Sequence, residues 1–216
     1  MNAQNAKNLN LKEEFIQEEI KELKKFAKEN SVPIIQDAGI KFICDYIKEH
    51  NVKHILEIGT AIGYSAIQFA QTKNDVFVDT VEIDIIRYQQ AVKNILDCDL
   101  WDRITVYLAN ALNINFDKKF DLIFIDGPKA QYINFFQKFK NNLEPEGVII
   151  SDNLSFHGMV EDLSLTHNSS TIRLVKKIRK YIDFLENNSE FNTKFYNIGD
   201  KISVSKRISK KIVRLV

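Results

Sequence analysis

At 216 residues, with 44% hydrophobic and 27% charged side chains, the chain has the length of one globular domain and enough apolar residues for a sizeable core. Thirty Lys and Arg against 29 Asp and Glu leave a net charge of +1, so no global nucleic-acid signature is present. Two cysteines, Cys44 and Cys98, both in helix-like contexts, read as reduced structural thiols rather than a disulfide framework or zinc site. No apolar run is long enough to span a bilayer and the N-terminus lacks a signal-peptide core, so a cytoplasmic protein without a membrane partner is expected.

Residues 11–29 carry Phe15, Ile16, Ile20, Leu23, Phe26 and Ala27 at helical spacing, and the pattern breaks at Ser31-Val32-Pro33. A second helix is expected from Asp37 to Glu49. These two form an N-terminal helical cap over residues 1–50. Strand-like runs then follow at His54–Ile58, Val76–Glu82, Ile104–Leu108, Phe120–Ile125 and Gly147–Ser151, with helical segments at Tyr64–Gln71, Ile86–Cys98 and Tyr132–Leu143 between them. This alternation predicts an α/β core over residues 51–206, a mostly parallel sheet with helices on both faces. A further helix is expected over 171–186. Two final strands, Thr193–Ile198 and Lys201–Lys206, join through Asn197-Ile198-Gly199-Asp200 as an antiparallel hairpin, and residues 207–216 make a basic tail.

The run Ile55 to Ala66, ILEIGTAIGYSA, reads as a strand, a tight turn at Gly59-Thr60-Ala61-Ile62-Gly63, and a helix start. A glycine at the strand end lets backbone approach a ligand closely. Such a turn serves NAD, FAD or S-adenosylmethionine alike. The acid at the end of the second strand, Glu82 in Val81-Glu82-Ile83-Asp84, stands where a ribose hydroxyl pair is held.

Ligands of open parallel sheets sit beyond the carboxyl ends of the strands. There the third strand offers Ala109-Asn110-Ala111, the fourth Asp126, and the fifth Asp152-Asn153. If the fourth and fifth strands are neighbours, about 4.8 Å apart, Asp126, Asp152 and Asn153 close on one cation. Three oxygen donors favour a hard ion such as magnesium. The alternative is that each acid caps the turn that follows it. Lys129, after a Gly-Pro turn, is positioned to swing over the site, where a lowered pKa would suit a base. Glu57 is expected to hold loop amides or to touch ligand.

ILEIGTAIGYSA, VEID, FIDGPKAQY and GVIISDN, in this order and spacing, resemble the metal-dependent class I O-methyltransferases, the caffeoyl-CoA and catechol type and their small bacterial relatives, over about residues 30 to 206. The resemblance implies a Rossmann-like class I methyltransferase fold. It implies that Ile35, Gly59, Ser65, Glu82, Ala109, Asn110 and Asp126 bind S-adenosylmethionine, that Asp126, Asp152 and Asn153 bind magnesium, and that Lys129 is the base. Family members form dimers, so a homodimer is expected. The chain departs from the family at Ala61 in the middle of the Gly loop, at Asn110 where Gly-Asp-Ala is common, and at Gly127-Pro128 where Ala-Ala often precedes the lysine.

Within the family the likeness is to bacterial enzymes that methylate 5-hydroxyuridine at the tRNA wobble position. It is carried by Val32-Pro33-Ile34-Ile35, Gln131-Tyr132 and Asp152 to Gly158. Arg173, Lys176, Lys177 and Lys180 cluster on one segment, with Lys201, Lys206, Arg207, Lys210, Lys211 and Arg214 following. A basic face on a nearly neutral protein suits phosphate binding, although a charge-rich helix is also an ordinary solvated face. A tRNA anticodon loop is the expected partner, its unstacked base entering a pocket beside Phe156, His157 and Tyr132. A small-molecule catechol-type O-methyltransferase and a nucleotide-binding module with an unused metal site are the other readings.

Overall fold

The structure is a computed structural model that describes residues 3–208; of the side chains of residues 3–10, 12 and 13 nothing is said. Strand β1 (His54–Ile58) sits at the centre of the five parallel strands of the sheet, and all of it but His54 is buried, as a parallel strand covered on both faces requires. It pairs in parallel with β2 (Phe77–Glu82) on one side and β4 (Phe120–Ile125) on the other. Beyond β2 lies β3 (Ile104–Leu108), and beyond β4 lies β5 (Leu143–Ser151), both parallel. β7 (Ile202–Arg207) runs antiparallel to β5, and β6 (Phe191–Tyr196) forms the edge against β7. The order is β3-β2-β1-β4-β5-β7-β6, so the chain builds outward from β1 in one direction and then returns to build in the other. The loops after β1 and β4 diverge at that switch and leave a crevice between them.

Two apolar layers cover the sheet. On one face, Ile16, Ile20, Leu23 and Ala27 of α1 (Ala3–Glu29) and Ile43 and Ile47 of α2 (Asp37–Glu49) pack with Ile67 and Phe69 of α3 (Tyr64–Ala70) and Ile95 of α4 (Ile85–Asp97). They meet Ile55, Leu122, Phe124, Val148 and Ile150 of the strands. On the other face, Phe135, Phe136 and Phe139 of α5 (Tyr132–Phe139) join Val175, Ile178, Tyr181 and Leu185 of α6 (Ser169–Glu186) over Leu56, Ile123, Ile125 and Ile149. Period-2 alternation along the strands thus sends successive side chains to opposite layers. Cys44 and Cys98 are free, and burial pushes both thiols up to about 12, which keeps them unreactive. Among the described residues no helix is long and apolar enough to cross a membrane.

Several element boundaries depart from the expected ones, three of them for reasons the packing shows. The helix expected to run from Tyr132 to Leu143 stops at Phe139 and passes through a 3-10 turn, Lys140–Asn142. Leu143 already belongs to β5, which was expected to begin at Gly147. Leu143 pairs with Phe120 and Val148 with Leu122, so residues between them bulge out of the ladder. Gly147 is needed there: a Cβ on it would lie 2.8 Å from the Asp121 carbonyl oxygen. An irregular register leaves no periodic mark in sequence. β6 starts at Phe191 rather than Thr193, because Phe191 is a buried anchor paired in register with Arg207, whose guanidinium lies 4.9 Å over its ring. Of the expected basic tail, Arg207 ends β7, while Lys210, Lys211 and Arg214 lie outside the described residues.

Phe136 is fully buried and meets Phe184 and Phe191 edge-on at ring separations of 5.3 and 5.0 Å. Phe136→Ala should cost about 3–5 kcal/mol of unfolding free energy, because the cavity it leaves between α5, α6 and β6 cannot collapse. Urea denaturation of both forms measures this.

Candidate active site at the carboxyl ends of the strands

A cavity of about 900 Å3 opens at the switch between β1 and β4. Its floor begins at Gly59, which leaves β1 with φ +105°, and a Cβ there would stand 2.7 Å from the Asp126 carbonyl oxygen. Only glycine allows the first turn and the end of β4 to approach this closely. Gly63 (φ +84°) then opens α3, its amide donating to the Thr60 carbonyl oxygen.

Two carboxylates support this turn from beneath and beside. Glu57 is fully buried and accepts from the Ser65 and Thr80 hydroxyls, both at 2.5 Å. Thr80 in turn shares a 2.6 Å hydrogen bond with Thr60. Glu57 therefore holds hydroxyls and not the loop amides expected of it, because its side chain points under the loop, between β1, β2 and α3. Desolvation pushes its carboxyl up to about 8, against the opposing pull of the two hydroxyls. The loop amides belong to Glu82: Oε2 accepts from the Ala61 amide at 2.8 Å, and Oε1 from Ile83 and Asp84, both at 2.9 Å. This fixes the orientation of the Glu82 carboxylate at the cavity wall and leaves it acceptor capacity for further donors.

The expected cofactor residues Ile35, Gly59, Ser65, Glu82, Ala109, Asn110 and Asp126 all line this one cavity. Two of them carry prior engagements: the Ser65 hydroxyl is given to Glu57, and Asn110 Oδ1 accepts from the Leu112 amide at 2.9 Å, closing the turn after β3. The amide NH2 of Asn110 is thereby aimed by an Asx turn.

At the other end stand Asp126, Asp152 and Asn153. β4 and β5 are indeed neighbours, Ile125 opposite Ser151. Asn153 adopts φ +64° and its amide bridges the two acids, 3.2 Å from Asp126 Oδ1 and 3.1 Å from Asp152 Oδ2. Asp152 Oδ1 is buried without a hydrogen-bond partner. Desolvation, and then the Asp126 charge, push the Asp152 carboxyl up to about 7. Two converging carboxylates, one orphaned oxygen and an adjacent amide carbonyl form a hard-donor set that a divalent cation fits. Among the described residues no cluster of three His, Cys, Asp or Glu has metal-binding geometry, so the set depends on the asparagine.

Lys129 donates to Asp126 Oδ1 at 2.8 Å and sits 5.4 Å over the Tyr132 ring. Tyr132 itself is core: it is 1% exposed, meets Tyr181 edge-on, and its hydroxyl donates to the Asp152 carbonyl oxygen. It is therefore not available to stack on a ligand. Phe156 and His157 do line the cavity, with left-handed φ of +48° and +58° and rings 5.6 Å apart. Asp200, read in sequence as a hairpin-turn residue, also lines it, accepting from the His157 amide. Nothing local in the sequence marks Asp200, since only the placement of β7 beside β5 brings it here.

On α6, Arg173, Lys176, Lys177 and Lys180 are all exposed and recur at helical spacing, so they share one stripe. Leu174, beside the first of them, lines the cavity, so the stripe starts at its rim. The later basic residues are spent otherwise: Lys201 pairs with Glu161 at 3.0 Å, Lys206 lies over the Tyr46 ring, and Arg207 donates to the Lys140 carbonyl oxygen.

This fold and this cavity are those of a class I methyltransferase. A family profile described as O-methyltransferase matches residues 9–208, and the chain belongs to that family. It is 37% identical to a Staphylococcus aureus protein provisionally described as a caffeoyl-CoA O-methyltransferase. That structure superposes with a TM-score of 0.83 over 88% of this chain and 92% of the other. It is 34% identical to a catechol O-methyltransferase of Niastella koreensis over 122 residues, 53% of this chain and 55% of the relative. It is 36% identical to the tRNA1(Val) (adenine(37)-N6)-methyltransferase of Actinobacillus pleuropneumoniae over 77 residues, 35% of this chain and 33% of the relative. The chain thus spans about half or less of the length of these two curated relatives.

Burial gives Glu57 a folded-state pKa of about 8 against an ordinary 4.5, so the folded protein keeps a proton that the unfolded chain releases between those values. Its contribution to stability is therefore fully present below about pH 4.5 and is lost as pH climbs towards 8. Glu57→Gln should remove that loss: the stability of the variant relative to wild type should rise between pH 5.5 and 8, at a slope approaching about 1.4 kcal/mol per pH unit. Urea unfolding at the two pH values checks it, and a constant difference would show that Glu57 does not hold the proton.

Proposed function

We propose that the protein is an S-adenosylmethionine-dependent, magnesium-dependent O-methyltransferase that converts 5-hydroxyuridine at the tRNA wobble position to 5-methoxyuridine. One observation carries the reading: a single cavity joins a cradle free of side chains, walled by Glu82, to the Asp126 carboxylate and the buried Asp152 carboxylate with Asn153 beside them. The first half suits a nucleoside cofactor and the second a hydroxyl acceptor with a hard cation.

S-adenosylmethionine supplies a methyl group on a sulfonium. Glu82 would hold the ribose hydroxyls, Asn110 and Ala109 the adenine, and Ile35 and Asp126 the remainder of the cofactor, all of them lining the one cavity. A divalent cation held by Asp126, Asp152 and Asn153 supplies Lewis-acid stabilisation of the acceptor oxygen. The closeness of the two halves supplies orientation, a large share of the acceleration expected of an in-line transfer. Lys129 is the proton acceptor of this reading; in the structure it reaches the site through its hydrogen bond to Asp126 Oδ1.

The α6 stripe supports an RNA substrate. Four exposed cations starting at the cavity rim offer phosphate contacts beside a pocket with two aromatic rings at its mouth. The same reading carries a homodimer, for which the exposed Leu11 and Phe15 of α1 provide apolar surface. The 34% identity to a catechol O-methyltransferase favours a second reading, a small catechol as acceptor at the same site.

Nucleoside mass spectrometry on tRNA from cells lacking the gene separates the two. Loss of 5-methoxyuridine with accumulation of 5-hydroxyuridine is expected, and an unchanged profile would favour the catechol. Exchanging Lys176, Lys177 and Lys180 together for Ala should lower tRNA affinity and reduce the slope of log affinity against log salt by about 2–3. Affinity titrations at several salt concentrations measure it, and an unmoved slope would make the stripe a solvated face.

A further inference from the structure

The turn between β6 and β7 is part of the same site. β7 lies against β5, so this turn sits beside the carboxyl end of β5, where Asp152 and Asn153 stand. The loop after β5 is fastened onto it: the Leu154 amide donates to the Lys201 carbonyl oxygen at 3.0 Å and the Ser155 amide to that of Asp200 at 2.9 Å. The Asp200 side chain adds a third attachment, Oδ1 accepting from the His157 amide at 2.8 Å. Asn153, Phe156 and His157 all hold positive φ, a conformation that a non-glycine residue keeps only where its surroundings impose it. Asp200 is one of the groups that impose it.

Its other oxygen has no such use. Asp200 is 6% exposed, and Oδ2 is buried with no hydrogen-bond partner, as is Oδ1 of Asp152, which is 2% exposed. Both residues line the one cavity. The Asp126, Asp152 and Asp200 charges all act on the Tyr132 phenol, so the three carboxylates share one neighbourhood. A carboxylate oxygen shut away from water without a partner is costly. Lys129 answers Asp126 alone. Three carboxylates thus face one ammonium, with two oxygens orphaned, an acidic excess that a divalent cation would balance.

We propose that Asp200 is an outer carboxylate of the cation site formed by Asp126, Asp152 and Asn153, and that it sets the affinity of that site for a divalent cation. The inference rests on the cation reading proposed above. Its oxygen Oδ1 holds the loop that carries Asn153, and its second oxygen completes the charge.

Mn2+ binding to the full-length protein, followed by electron paramagnetic resonance without cofactor or substrate, tests this. Asp200→Asn keeps an oxygen for the His157 amide and removes only the charge. It should weaken Mn2+ binding about 10- to 100-fold, the usual cost of losing an outer partner of a metal site, with an unchanged circular dichroism spectrum. Asp200→Ala should weaken it at least as much, and serves if the Asn variant fails to fold. Mn2+ affinity within twofold of wild type in either folded variant overturns the role of Asp200 while leaving the cation site itself in place. If wild type binds Mn2+ no better than Asp152→Ala, the cation reading fails and this inference with it.

Discussion

At Gly59 the chain leaves the central strand so close to the end of β4 that a single methyl group would collide with the Asp126 carbonyl. The Asp126 amide donates to Ile58 and the Gly59 amide to Val81, so this point ties the ends of β1, β2 and β4 together. Every other part of the site takes its position from it. The Glu82 carboxylate reaches the Ala61 amide because the turn folds back over β2, and Asp126 faces the cavity because β4 ends in register with β1. Topology adds the crevice, since strand order reverses at the same place.

The site is acidic. Glu57, Glu82, Asp152 and Asp200 are buried and Asp126 is part-buried, while Lys129 pairs with Asp126 alone. The protein compensates these charges unequally. Backbone amides serve Glu82, hydroxyls serve Glu57 and offset only part of the rise that burial imposes on its pKa, and Asp152 and Asp200 are each left with one oxygen unserved. Such imbalance is costly to a fold and is concentrated where binding a positive group repays it. The two kinds of acid thus divide the cavity into a half already satisfied by protein and a half with unserved carboxylate oxygens.

The surroundings of the second half are built by the antiparallel end of the sheet and by α6. The loop from Asn153 to Gly158 is held in left-handed backbone by the β6–β7 turn, presenting Phe156 and His157 at the mouth, and the exposed stripe of α6 begins at the same rim. The antiparallel end of the sheet is therefore more than a cover for β5. By placing β7 between β5 and β6 it supplies Asp200 and anchors the loop. Without β6 and β7 the loop that carries Asp152 and Asn153 would lose these attachments.

The parallel core was legible because period-2 strands, 3.6-period helices and the Gly59 turn are local patterns, and a buried strand can hardly avoid showing its apolar run. The cavity residues were legible for the same reason: Gly59, Glu82, Asp126, Asp152 and Asn153 all stand one or two positions from a strand end. The end of α5, the bulge of β5 and the start of β6 were not, since each is decided by a partner distant in sequence, as Phe120 decides the place of Leu143. The targets of side chains were equally hidden. Sequence identifies Glu57 as an acid beside a turn, but only packing shows that hydroxyls from α3 and β2 reach it before any loop amide does. Asp200 reads as a turn residue until β7 inserts beside β5, because a contact between residues more than forty positions apart leaves no trace in local periodicity. The sequence by itself determined the strand-end chemistry; the tertiary structure decided which of those groups are satisfied by the protein and which are left for a ligand.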